Sequence, residues 1–240
     1  MKKLYEKNEL AFALACIAAY VVLFSVADSL SASLGVAKSV TAPVGIVLSL
    51  ALFAWMKSGG LLEKYGLCAF RGSWRSYLYF LPLLLIMSTN LWNGGAIKAP
   101  GVEILLHILS MVCVGFLEEV IFRGLLFKAI SKSGVRQAVL ISSITFGIGH
   151  IVNLLNGAEF FPTLLQICNA VALGFLFVIL FHKGKSLWPC IIAHGMINSL
   201  SIFAVPGSRT LDMITAAILC GISLGYALWI LKKAEIPEKA

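Results

Sequence analysis

Six side chains in this sequence have the types and spacings to do chemistry: Glu118, Glu119, Arg123, His150, His194 and Asn198. Glu118 and Glu119 are adjacent, and Arg123 follows Glu119 at i+4, one helical turn away on the same face. All three interrupt a run that is otherwise apolar from Ile104 to Phe127. His194 and Asn198 repeat the i, i+4 spacing in a later apolar run, and His150 closes a third. A carboxylate facing a neighbouring imidazole can take a proton from water, with the imidazole holding and polarising that water. An imidazole and an amide one turn apart can donate hydrogen bonds to an oxyanion forming on an attacked carbonyl. The chemistry this points to is hydrolysis, with Glu118 as general base and His150 beside it. His194 and Asn198 would act on the oxyanion. No serine or cysteine stands in a recognisable nucleophile motif, so direct attack by water is the more economical route.

The elements that must position these groups are membrane helices. The chain has 240 residues, 60% hydrophobic and only 12% charged, with mean hydropathy +0.94; a soluble domain carries about 25% charged residues. Hydropathy predicts an all-α polytopic membrane protein with about eight transmembrane helices. They fall near 10–27, 43–57, 77–92, 103–128, 137–152, 163–181, 187–204 and 211–231. Turn chemistry separates them, as in Ser58-Gly59-Gly60, Asn93-Gly94-Gly95, Asn156-Gly157 and Pro206-Gly207. No soluble domain is appended. Residues 1–240 read as a single membrane-embedded domain with a motif-bearing core at about 103–204.

Loop charge orients this array. With the N-terminus inside, the inner segments collect Lys2, Lys3, Lys7, Lys57, Lys64, Arg71, Arg75, Lys128, Lys132, Arg136, Lys183, Lys185, Lys232, Lys233 and Lys239. The outer segments hold only Lys38, Lys98 and Arg209. That bias is what the positive-inside rule requires, and it predicts both termini to be cytoplasmic. The net charge of +8 is therefore a topological signal and not a sign of nucleic-acid binding. The six cysteines are scattered without metal-ligand spacing and read as small packing residues.

An ionisable side chain at bilayer depth costs about 2.5–3.5 kcal/mol on insertion scales, so such groups need partners. At 1.5 Å per residue, Glu118 lies about 15 Å from the inner end of its helix, His194 about 11–12 Å and His150 about 20 Å. Asn198 is about 6 Å beyond His194. Three helices thus bring polar groups to the middle of the membrane, where a shared cavity is geometrically available. Glu119 is expected to pair with Arg123. Glu118, about 100° further back around an α-helix, is free to face the histidines. His107, near an outer helix end, and His182, in a basic loop, are expected to be solvated.

Glu118-Glu119-x-x-x-Arg123, Phe146-x-x-x-His150 and His194-x-x-x-Asn198, in that order on successive apolar segments, resemble the motif set of the CPBP family. These are the intramembrane glutamic proteases that include CAAX-processing enzymes and bacterial relatives linked to bacteriocin self-immunity. The resemblance covers residues 118–198. It implies an eight-helix fold whose site opens toward the cytoplasm. It also implies a Glu118–His150 pair that activates water, a His194–Asn198 oxyanion site, and supporting roles for Glu119, Arg123 and Phe146.

The activity so implied is a metal-independent endopeptidase in the cell membrane, with no cofactor. Its partners would be the bilayer and a protein or peptide substrate, membrane-anchored ones included, and not nucleic acid. Three other readings compete. Glu118, His150 and His194 could ligate zinc, although the HExxH pattern is absent. The chain could be a non-enzymatic immunity or scaffold protein, its Glu119–Arg123 pair merely gluing the bundle. Intramembrane Glu and His would also serve a proton-coupled carrier, although no inverted repeat is evident.

Overall fold

The computed structural model describes residues 2–69 and 80–233. Ten helices stand out among them. They are α1 (Lys2–Lys7), α2 (Glu9–Ser33), α3 (Thr41–Ser58), α4 (Leu81–Met87), α5 (Gly101–Ser131), α6 (Val135–Gly149), α7 (Val152–Leu155), α8 (Phe160–Gly184), α9 (Trp188–Leu200) and α10 (Arg209–Lys233). One β-bridge, Gly95 to Ala204, is the sole extended pairing among the described residues. The protein is all-α and multi-pass.

Six helical stretches are long and apolar enough to cross a bilayer: α2, α3, α5, α6 with α7, α8 and α10. They coincide with six of the eight spans expected from hydropathy. The span expected at 187–204 is a shorter apolar helix, Trp188–Phe203, whose last turn is 3-10. The span expected at 77–92 begins outside the described residues, as do Arg71, Arg75 and Lys239. Its described part is the seven-residue α4 and a 3-10 turn at Thr89–Leu91. Pro82 suits the first turn of α4, where its missing N–H costs nothing.

Local chemistry sets the helix ends. The Asn8 side chain accepts from the Ala11 N–H at 3.0 Å and caps α2. Lys185 takes a left-handed conformation (φ 56°) to end α8, its N–H bonded to the Phe181 carbonyl. The α8 helix packs along α6 on one side and α10 on the other, while α9 and α3 flank α5. Glycines permit the closest crossings. A Cβ on Gly147 of α6 would stand 2.3 Å from Val171 Cγ2 and 2.9 Å from the Val171 backbone nitrogen of α8.

The two ends of the bundle differ. At the end bearing the basic loops, Lys64 bonds Glu9 at 2.8 Å and the Tyr5 hydroxyl at 2.6 Å, and Lys132 reaches Glu9 at 3.0 Å. Partial burial pulls the Lys64 amine down, but its bonds to Glu9 and Tyr5 more than offset this and hold it above its ordinary value. The Leu187 N–H donates to the Gly66 carbonyl at 2.8 Å, tying two basic loops together. At the opposite end, Lys38 is paired with Asp28 at 2.8 Å. The Gly95–Ala204 bridge and an Asn93–Thr215 bond at 3.3 Å lie there too.

Candidate active site

The site forms where α5 changes its winding. The helix is α-type to Glu118, π-type from Glu119 to Leu126, and α-type again over Phe127–Ser131. π-turns are rare and concentrate at functional sites. Here the Ser142 hydroxyl of α6 donates to the Phe122 carbonyl at 2.9 Å, satisfying a carbonyl within the widened turn. Every residue from Glu119 to Leu126 is buried.

Glu119 and Arg123 are both 0% exposed, with Nη1 3.0 Å from Oε1. The guanidinium N–H groups are not aligned on an acceptor among the described residues, so charge attraction and stacking hold the group. Its Cζ lies 4.0 Å from the Phe146 ring centroid and 5.7 Å from that of Phe177. Phe146 stands at the centre of the cluster, edge-on to Phe122, His150 and His194 with centroids 5.3, 5.4 and 5.6 Å away.

His194 of α9 reaches both glutamates. Its Nδ1 lies 2.8 Å from Glu119 Oε1, and its Nε2 lies 3.5 Å from Glu118 Oε2. Glu119 pairs with Arg123, as their i, i+4 spacing leads one to expect. The same carboxylate oxygen also contacts His194, so Glu119 holds Arg123 and His194 together. The 3.5 Å contact is within ion-pair reach but beyond a good hydrogen bond. Glu118 Oε2 is consequently a buried carboxylate oxygen with no hydrogen-bond partner among the described residues.

The other oxygen of Glu118 is engaged by a residue that sequence reasoning missed. The Tyr20 hydroxyl of α2 donates to Glu118 Oε1 at 2.6 Å. One signal was available: Tyr20 lies eleven residues inside α2, about 17 Å from its start, whereas membrane tyrosines favour the interfaces.

His150 ends α6, its Nδ1 3.1 Å from the Phe146 carbonyl. Nδ1–H therefore donates to that carbonyl, which can only accept, and the residue lines the cavity. Asn198 follows His194 by one turn and lines the same cavity. His107 is half-buried, contrary to the expected solvation, with Nε2 3.1 Å from the Asn198 carbonyl and 3.1 Å from Ser201 Oγ. The ring closes the turn that carries Asn198. His182 lies in the last turn of α8, edge-on to Phe127 at 6.0 Å, and not in a loop.

A cavity of about 860 Å³ is lined by Glu118, Phe146, His150, His194 and Asn198. A second, of about 160 Å³, lies between α2 and α6–α7 and shares Glu118, Phe146 and His150 with the first. The sequence-predicted groups thus meet at one place: Glu118, Glu119, Arg123, Phe146 and His194 in direct contact, His150 and Asn198 on the cavity wall. The zinc reading required Glu118, His150 and His194 to converge. Among the described residues no three His, Cys, Asp or Glu side chains are grouped to hold a metal ion.

Fold and site together define a polytopic membrane protein with an acid–base cluster buried between its helices. Residues 100–200, which carry every motif position, match the family described as "Type II CAAX prenyl endopeptidase Rce1-like". A curated relative, "Putative membrane peptidase YdiL" of Bacillus subtilis (strain 168), is 36% identical over 99 residues. That alignment covers 41% of this chain and 36% of the relative, so the likeness spans little more than a third of that protein's length. No solved structure matches the chain significantly. Over these central residues the chain is similar to proteins of the CPBP, or CAAX protease, family.

Proposed function

We propose that this protein is an intramembrane endopeptidase that hydrolyses a peptide bond with water activated by Glu118 and His150, without a metal. The observation that carries this is the buried Oε2 of Glu118, which has no hydrogen-bond donor among the described residues, on the wall of the 860 Å³ cavity. A buried carboxylate oxygen without a donor is a strong acceptor site for a water proton. Tyr20, bonded to Oε1, fixes the carboxylate plane and leaves Oε2 for that proton.

In this reading water binds between Glu118 Oε2 and His150 Nε2. Glu118 removes one proton as the oxygen attacks the scissile carbonyl carbon. The resulting oxyanion is held by N–H groups of Asn198 and His194. Glu118 then passes its proton to the leaving amine, and the C–N bond breaks. Glu119, Arg123 and Phe146 orient His194 and are positioning residues.

The relative's name and the family's description both speak of peptidases, which supports the reaction class. Comparative membrane proteomics of cells carrying wild type or Glu118→Ala tests the reading. New protein termini present only with wild type are expected. If the termini, or an immunity phenotype, survive Glu118→Ala at equal protein level, the water-activating role is wrong and the non-enzymatic reading gains.

A further inference from the structure

The two groups assigned to the oxyanion sit on one helix but are held in different ways. His194 is fixed in the middle of α9 by Glu119, at 2.8 Å. Asn198 lies one turn on, where the helix is running out: α9 ends at Leu200, and a 3-10 turn follows over Ser201–Phe203. The last carbonyls of a helix lack intrahelical N–H partners. Here the Ser201 N–H turns to the Asn198 carbonyl, three residues back, so the Ile197 carbonyl loses its usual donor. Asn90, in the 3-10 turn Thr89–Leu91, supplies one: its Nδ2 donates to the Ile197 carbonyl at 2.6 Å. His107 of α5 reaches the next carbonyl, its Nε2 lying 3.1 Å from that of Asn198 and 3.1 Å from Ser201 Oγ. The Ser201 hydroxyl donates to the same Asn198 carbonyl at 2.7 Å. A carbonyl oxygen only accepts, so His107 presents Nε2–H to it.

These bonds engage the backbone carbonyl of Asn198 and leave its side-chain amide for the cavity it lines. The direction of that amide therefore follows the backbone of this turn. We propose that Asn90 and His107 are positioning residues of the oxyanion site, which clamp the end of α9 so that the Asn198 amide and the His194 ring face one oxygen. Helix ends fray unless they are held. The residues beyond the turn are anchored as well, by the Ala96 N–H donating to the Phe203 carbonyl at 2.8 Å and by the Gly95–Ala204 bridge. Asn90 and His107 thus supply the side-chain half of a fastening whose other half is backbone. A displacement of about 1 Å at a reacting group can cost about 100-fold in rate. The assignment of Asn198 to the oxyanion rests on the peptidase reading above; the clamp on its backbone does not.

A double-mutant cycle on the full-length protein reads whether the clamp acts through Asn198. His107→Phe and Asn90→Leu remove the donors and keep side chains of similar size; His107→Gln restores an N–H. In liposomes, on a substrate found by the terminal proteomics, each of the first two should lower kcat by about 10- to 100-fold with KM within about threefold. His107→Gln should return to within about fivefold of wild type. In an Asn198→Ala background the same substitutions should cost less than about threefold more. Equal losses in both backgrounds, or wild-type kcat in the single variants, overturn the inference. Should one variant fail to fold, the other carries the same cycle. A second readout needs no turnover. In protein labelled at asparagine nitrogen, the Asn198 side-chain NMR signal is identified by its absence from Asn198→Ala. That signal should shift or broaden in His107→Phe and Asn90→Leu and recover in His107→Gln; an unmoved signal overturns the inference. Full turnover by Glu118→Gln would count against the hydrolase reading and leave the NMR result standing.

Discussion

Gly115 lies three residues before Glu118, at the point where α5 crosses α9 most closely. A Cβ placed there would stand 2.7 Å from the Gly195 nitrogen, 2.8 Å from Gly195 Cα and 3.2 Å from the Ile191 carbonyl oxygen. All three are backbone atoms, so no side chain can swing aside. Ordinary contact begins at 3.4 Å, and the shortest approach is 2.7 Å, so Gly115→Ala must move α9 away by about 0.7 Å. His194 adjoins Gly195 and moves with it. If the shift is passed on in full, its 2.8 Å bond to Glu119 stretches to about 3.5 Å, outside hydrogen-bonding range. Misplacement of reacting groups by about 1 Å can cost about 100-fold in rate, and we expect kcat to fall by about 10- to 100-fold. Overpacking costs about 1–3 kcal/mol, against about 1 kcal/mol regained from replacing a helical glycine; the net stability loss should therefore be small. Gly221→Ala is the control, because a Cβ there meets nothing within 4 Å. The assay is cleavage by purified protein in liposomes, with thermal unfolding measured on the same samples. Wild-type kcat in Gly115→Ala would refute the claim that this crossing sets the position of His194.

Tyr20→Phe removes a bond to a carboxylate, worth about 1.5–3 kcal/mol, and should lower kcat/KM by about 10- to 100-fold while the protein still folds; a KM–kcat split and unfolding curves read this. Arg123→Met leaves the fully buried Glu119 without its cation and should destabilise by about 3–5 kcal/mol, measured by denaturation in detergent micelles. Adding Glu119→Gln to that variant should restore part of the stability without restoring activity. Dialysis against a strong chelator should leave turnover within about twofold of the untreated enzyme, whereas zinc-restorable loss would favour the metallopeptidase reading.

Much of the site was legible because charge in a membrane is costly. Glu118, Glu119, Arg123, His150, His194 and Asn198 each break an apolar run, and each lies in the cluster or on its cavity wall. The six long helices follow from continuous hydropathy for the same reason. What escaped was set by packing. The π-type turn has a carbonyl satisfied by Ser142 on another helix, and no local pattern announces it. Both carboxylates reach one imidazole, because His194 stands between them on α9. Tyr20 is an apolar residue by composition, and only its hydroxyl's partner gives it a role. His107 looked peripheral because its helix position is near an end, yet the neighbouring turn of α9 covers it.

The central claim is that the Glu118 carboxylate takes the proton from the attacking water. Its most direct test is turnover by purified Glu118→Gln in liposomes, on a substrate identified by the terminal proteomics, at equal folded protein. The substitution keeps the size of the side chain and a bond to Tyr20 but removes the base. Loss of a general base predicts a fall in kcat of about 100- to 10,000-fold, with unfolding temperature near that of wild type. Turnover within a few-fold of wild type would contradict the account.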